Sequence, residues 1–251
     1  MTAACAAVLA LAIAGAAGCG GGEPEPADRI TTITKTTTGT TTASAQACRA
    51  GAYAFTLGNG QAVRMRVTPG GDGERALILA LHGAGQSPDS ALRAFRGGWN
   101  QPGLVLIAPA SKGQTWSVLT SEEDRDAESL NLALAAAYER CPVDRDRIGI
   151  GGFSDGATYA LTLGLSNGEL FPAIIALSPG GIVGTGQMGA PRVFISHGTL
   201  DDVLPIARAS DAIARQLREA GYPVEYRRFV GGHEVPTATS AAAVRWFLTG
   251  A

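Results

Sequence analysis

Between about residue 53 and residue 248 the apolar positions fall into two alternating patterns. The first is the short continuous run, such as Ala76-Leu77-Ile78-Leu79-Ala80-Leu81, which suits a strand covered on both faces. Similar runs occur at Leu104 to Ala108, Arg147 to Gly151, Ala173 to Leu177, Arg192 to Ser196 and Val224 to Phe229. The second has helical spacing. Leu130, Leu134, Ala137 and Tyr138 recur this way within Glu122 to Arg140, with Ser121 as the expected N-cap and acids in the first turn. Further helices are expected over Pro205 to Ala220, which ends at Gly221, and over Pro236 to Leu248. Ahead of these units, Tyr53 to Leu57 and Ala62 to Thr68 flank Gly58-Asn59-Gly60, and Asn-Gly between two such runs predicts a β-hairpin. A hairpin followed by repeated strand–helix units predicts an α/β domain with a mostly parallel central sheet and helices on both faces.

The pattern is different at the N-terminus. Residues Ala6 to Ala17 are almost wholly Ala, Val, Leu and Ile, and the run ends at Ala16-Ala17-Gly18-Cys19. Residues 1–19 are therefore expected to be a signal peptide with a lipoprotein-type cleavage site, Cys19 carrying the lipid. Neither Lys nor Arg precedes the apolar run, so plain secretion and an uncleaved anchor remain as alternatives. Residues 20–47 are rich in Thr and contain Glu23-Pro24-Glu25-Pro26. With so few large apolar groups, this stretch is expected to be a disordered tether, about 28 residues with a span of roughly 30 Å. Residues 48–251 are then the folded domain of an exported, envelope-attached or secreted protein, meeting the membrane only through Cys19.

Composition narrows the function. A formal net charge of −2 gives no electrostatic reason to expect a nucleic-acid partner. The three histidines, His82, His197 and His233, lack metal-ligand spacing, so neither metal nor cofactor is expected. Cys48 and Cys141 remain in the folded part, as one disulfide or as two buried thiols. Nothing in the sequence bears on oligomeric state.

Gly152-Phe153-Ser154-Asp155-Gly156 fits GxSxG, a weak match in a chain with 34 glycines until its setting is considered. The run ending at Gly151 precedes it and a helical pattern follows. A serine at a sharp strand-to-helix turn needs small neighbours and gains backbone N–H groups from the helix N-terminus. A serine hydroxyl also needs a base. His233 lies in the glycine loop Gly231-Gly232-His233-Glu234, between the last strand and the last helix. Either Asp201 or Asp202, in His197-Gly198-Thr199-Leu200-Asp201-Asp202, can accept the imidazole N–H. The order Ser, Asp, His suits GxSxG hydrolases. Leu81-His82-Gly83-Ala84-Gly85 follows the first long apolar strand and resembles loops that donate a backbone N–H to an oxyanion. The expected donors are Ala84 and Asp155. His82 and His197 are expected to be structural. Trp116 is a candidate pocket residue, or else a core tryptophan.

These four motifs together, LHGAG, IGGFSDGA, HGTLDD–LP and GGHEVP, resemble the α/β-hydrolase fold, specifically its phospholipase/carboxylesterase branch with the acyl-protein thioesterases. The resemblance covers residues 53 to 248. It implies a Ser154–Asp201–His233 triad, because the acid of that branch is the fourth residue after the histidine of HGxxD. Asp155 replaces a glutamine common in the thioesterases. The expected activity is hydrolysis of small carboxylic esters. Thioester, feruloyl or peptide hydrolysis, or a non-catalytic ligand-binding lipoprotein, are the alternatives. Between Ser178 and Arg192 the chain has glycines at 180, 181, 184, 186 and 189 and only Ile182, Val183 and Met188 as large apolar residues. No cap domain is therefore expected, which favours short to medium acyl chains.

Overall fold

The structure, a computed structural model, describes residues 48–70, 73–120, 123–184 and 188–250. The signal peptide, Cys19 and the tether lie outside the described residues, as does Ser121.

Eight strands form one sheet: β1 (Gly51–Thr56), β2 (Ala62–Val67), β3 (Arg75–Leu81), β4 (Leu104–Pro109), β5 (Val143–Phe153), β6 (Ala173–Leu177), β7 (Arg192–Gly198) and β8 (Val224–Phe229). Their order is β1-β2-β4-β3-β5-β6-β7-β8. β1 and β2 pair antiparallel, as do β2 and β4, and every other pairing is parallel. The expected hairpin is present, closed by Leu57 N–H to Gln61 O at 2.8 Å.

Helices α1 (Pro88–Ala94), α2 (Ala127–Arg140), α3 (Asp155–Ser166), α4 (Ser210–Glu219) and α5 (Thr237–Thr249) cover the two faces. Side-chain alternation along β3 shows how. Leu77, Leu79 and Leu81 join a cluster with α2, α3 and α4, including Leu130, Tyr159, Leu161 and Leu217. Ile78 and Ala80 join a second cluster with α1 and α5, including Leu92, Val244 and Phe247. Both faces are dry, so the run needs no polar position. Burying each such side chain contributes about 1.5–3 kcal/mol. The β8 edge instead carries Glu225, Arg227 and Arg228, charges that discourage pairing with another strand.

Three elements depart from the sequence pattern. α2 begins at Ala127, not at Glu122, and its N-cap Asp126 makes no side-chain cap. That carboxylate is buried and accepts instead from the N–H groups of Lys112 and Ser117 and from the Ser117 hydroxyl. α4 begins at Ser210 rather than Pro205, because Asp201 and His197 engage the preceding loop. α1, only 7 residues long, is too short for its periodicity to stand out in the sequence. Cys48 and Cys141 form a disulfide that ties the chain before β1 to the end of α2.

Candidate active site

β5 ends at Phe153 and α3 begins at Asp155, so one residue makes the turn. Ser154 takes φ 56° and ψ −122°, a conformation that costs a non-glycine residue on the order of 1–3 kcal/mol. Its surroundings hold it there. The Ser154 N–H donates to Leu177 O at 3.0 Å, and its carbonyl accepts from the N–H groups of Ala157 and Thr158. The turn is tight enough that a Cβ on Gly152 would overlap the Gly156 backbone, and one on Gly156 would overlap Leu81 O. Both glycines of GxSxG are therefore required by packing.

Asp201 and His233 arrive from the ends of adjacent parallel strands, β7 and β8. Their loops are joined by Thr199 N–H to Phe229 O at 2.8 Å and Leu200 N–H to Gly231 O at 2.9 Å. The contact is possible because Gly198 has no side chain to meet the carbonyls of Gly231 and Gly232. The result brings three predicted residues together. His233 Nε2 lies 2.9 Å from Ser154 Oγ, and His233 Nδ1 lies 2.7 Å from Asp201 Oδ2. An ionised carboxylate has no proton to give, so Nδ1–H donates to it and Nε2 is left to accept from the serine hydroxyl. Asp201 Oδ1 accepts the N–H groups of Val203 and Leu204 at 3.0 and 2.8 Å. Burial alone would raise the Asp201 pKa. The Leu204 N–H, the bond to His233 and the two nearby imidazoles outweigh it, holding the carboxyl below its ordinary value. Asp202 is exposed, so of the two aspartates it is Asp201 that meets the imidazole.

The loop after β3 passes Ser154 closely, and a Cβ on Gly83 would stand 3.3 Å from Ser154 Cβ. His82 is 2% exposed, and its Nδ1 lies 2.8 Å from Gly83 O. Its Nε2 accepts the Ser111 N–H at 3.1 Å, so Nδ1 carries the proton and donates. Gly83 O also accepts the Gln86 N–H. In a trans peptide the Ala84 N–H points opposite to that anchored carbonyl. Neither this N–H nor that of Asp155, the first of α3, has a partner among the described residues. Burial lowers the His82 pKa, which suits a neutral ring between two backbone groups.

Trp116 is not a pocket residue. It is 0% exposed, stacks on Tyr159 at 5.2 Å and donates its Nε1–H to His82 O at 2.8 Å. The ring supports the loop after β3 from the core, and apolar packing took it away from the site. Two side chains that the sequence did not single out lie beside these residues, one against His233 and one against Asp155. Phe153 packs its ring 4.7 Å from that of His233, and Thr115 donates its hydroxyl to Asp155 Oδ2 at 2.6 Å. Phe153 was legible as the residue before Ser154. Thr115 was not, since only folding brings its loop to α3.

A mostly parallel sheet with an antiparallel first pair, helices on both faces and a serine elbow after the fifth strand make up the α/β-hydrolase fold in its carboxylesterase-like form. The chain is similar to the esterase PE8, with 22% identity and a TM-score of 0.59 over 74% of this chain and 96% of that one. It is also similar to the Bacillus cereus carboxylesterase, with 19% identity and a TM-score of 0.60 over 76% of this chain and 95% of that one. A third likeness is to the fluorophosphonate-binding serine hydrolase F of Staphylococcus aureus, with 15% identity and a TM-score of 0.61 over 78% of this chain and 97% of that one. At these identities the likeness is one of fold. No protein-family model and no curated protein sequence matches the chain.

Proposed function

We propose that this protein is a serine hydrolase of carboxylic esters, with Ser154 as nucleophile, His233 as base and Asp201 as the acid that orients it. One observation carries the reading: the unbroken hydrogen-bonded series from Ser154 Oγ through His233 to Asp201, set on a strained elbow. Ser154 Oγ attacks the ester carbonyl carbon while His233 Nε2 takes the hydroxyl proton. The tetrahedral oxyanion is received by the N–H groups of Ala84 and Asp155, worth about 10²–10³ in rate for a single donor of this kind. Collapse breaks the bond to the alcohol, which leaves with the proton from His233. Water then attacks the acyl-serine, giving its proton to the same nitrogen, and the acid is released as Ser154 recovers its hydrogen. Asp201 stays ionised throughout and stabilises the imidazolium. Esterases and a serine hydrolase among the structural neighbours support the same chemistry.

Short to medium acyl chains fit best. Among the described residues between β6 and β7 there is no helix to serve as a lid. Val183 and Met188 there are exposed, and so are Leu200, Val203 and Val230 on the loops bearing Asp201 and His233. Leu200, Val203 and Val230, on the loops that carry Asp201 and His233, offer apolar contact near the site, whereas the Met188 backbone pairs with Leu165 and Gly168 at the far end of α3. A series of p-nitrophenyl esters tests this. Rates peaking at short acyl lengths, with no jump when the substrate aggregates, are expected; strong activation on long-chain emulsions would overturn it. Labelling of Ser154 by a fluorophosphonate, lost in Ser154→Ala, tests the nucleophile itself.

We further infer that residues 1–47 export and tether this domain, with Cys19 as the lipidated residue. The disulfide between Cys48 and Cys141 supports an oxidising compartment. Cys19→Ser is expected to release the protein from the membrane fraction or block its processing.

A further inference from the structure

The reaction above leaves one buried imidazole unused. His197 lies in β7, four residues before Asp201, and the side chains of both are wholly buried. Its Nε2 lies 3.0 Å from Asp201 Oδ2 and 2.8 Å from the Leu204 carbonyl oxygen. Its Nδ1 lies 2.7 Å from Ser210 Oγ, the first residue of α4. These contacts decide where the proton sits. A bare Nε2 would set its lone pair against a carboxylate and a carbonyl, neither of which has a hydrogen to offer. In either charge state of the ring, Nε2 carries a proton and donates.

We propose that His197 is a positioning residue for the esterase reaction: its Nε2–H holds the Leu204 carbonyl, and with it the loop whose Val203 and Leu204 N–H groups seat Asp201 against His233. The proposal rests on the catalytic reading of Ser154, His233 and Asp201. Asp201 Oδ1 is held by Val203 and Leu204, but these belong to the same loop and move with it. That loop has no regular structure before α4, and Leu200 and Val203 within it are exposed. His197 belongs to the sheet. Its Nε2–H donates to the Leu204 carbonyl while the ring lies 3.0 Å from Asp201 Oδ2, so it ties the loop that carries the acid to β7. A proton transfer through His233 depends on hydrogen-bond reach at both ring nitrogens. A carboxylate free to swing with its loop would tilt the imidazole off the serine.

His197→Gln and His197→Asn in the full chain separate positioning from packing. The glutamine amide reaches the place of Nε2 and keeps the contact with the Leu204 carbonyl. The asparagine amide reaches only the place of Nδ1 and keeps the contact with Ser210. His197→Asn is expected to lower kcat roughly tenfold to a hundredfold with KM unchanged, the range that leaving an acceptor without its donor carries. His197→Gln is expected to stay within about threefold of the parent chain, since that contact is kept. In an Asp201→Ala background the two variants should be equal. Equal kcat losses in the Asp201 parent, following the thermal midpoints, would mean packing alone and overturn the proposal. A second measurement needs no variant. The ring nitrogens of His197 in the unmodified protein, read by ¹H–¹⁵N NMR, should show a proton on Nε2, and a neutral ring protonated only on Nδ1 would also overturn it. Activity surviving in Ser154→Ala would instead defeat the underlying catalytic reading, so the two failures are distinct.

Discussion

His82 follows β3 and His233 follows β8, and each ring is hydrogen-bonded at both nitrogens beside a glycine-containing loop. The partners differ. His82 is bounded by a backbone carbonyl and a backbone N–H, 2% exposed, and burial keeps its pKa down. His233 is bounded by a carboxylate and a hydroxyl, with its side chain 15% exposed. The first ring has nothing to exchange a proton with and serves to hold a peptide unit. The second has a donor on one side and a charge to steady it on the other. An imidazole at a strand end thus takes its role from what folding places at its two nitrogens.

The largest test of this contrast removes the hydroxyl partner of His233. Ser154→Ala should cut kcat by roughly 10⁶ and leave the thermal midpoint nearly unchanged. Hydrolysis of p-nitrophenyl acetate measures it, and residual activity above about a per cent would place the nucleophile elsewhere.

Removing the charge behind His233 comes next. Asp201→Asn is expected to cost about 10⁴ in kcat by disturbing the imidazole tautomer, whereas Asp202→Asn should change little. The reverse ranking would reassign the acid.

A perturbation remote from both loops should affect stability alone. Reducing the disulfide between Cys48 and Cys141, 93 residues apart, should lower unfolding free energy by up to roughly 4.7 kcal/mol at unchanged kcat. Denaturant titration with and without reductant checks this, and two free thiols in the denatured, unreduced protein would refute the pairing.

His82→Leu should have a smaller effect on rate than either triad change. Loosening the Gly83–Ala84 peptide should lower kcat by roughly tenfold to a hundredfold, less than outright loss of an oxyanion donor. A loss as large as that of Asp201→Asn would make His82 a proton carrier and erase the contrast.

The smallest effect is in pH. The folded His82 pKa lies below the ordinary 6.5, so as pH falls below 6.5 the unfolded chain takes up the proton first. Stability is therefore full above 6.5 and declines as pH falls toward the folded value. Asp201 is depressed below 3.8, so its contribution is lost only at lower pH, beneath that value. Denaturation midpoints between about pH 8 and about pH 5 should show the His82 slope, and His82→Leu should flatten it.

What the sequence determined by itself was what depends on near neighbours along the chain. The run from Ala76 to Leu81 is a doubly covered strand because every position in it is apolar, whichever helices do the covering. Gly152, Ser154 and Gly156 specify the elbow because its crowding arises within five residues and from the strand beside it. Tertiary structure decided what depends on convergence from distant parts of the chain. It brought Asp201, the aspartate that the HGxxD resemblance implied, against His233, 32 residues away, and it drew Trp116 into the core against Tyr159. It started α2 at Ala127 because Asp126 was occupied by Lys112 and Ser117. It also put His197 against the acid that its own HGxxD motif supplies. Spacing along a chain sets which backbone shapes are possible, but a hydrogen bond needs two groups within about 3 Å, and only the packed sheet brings these groups that close.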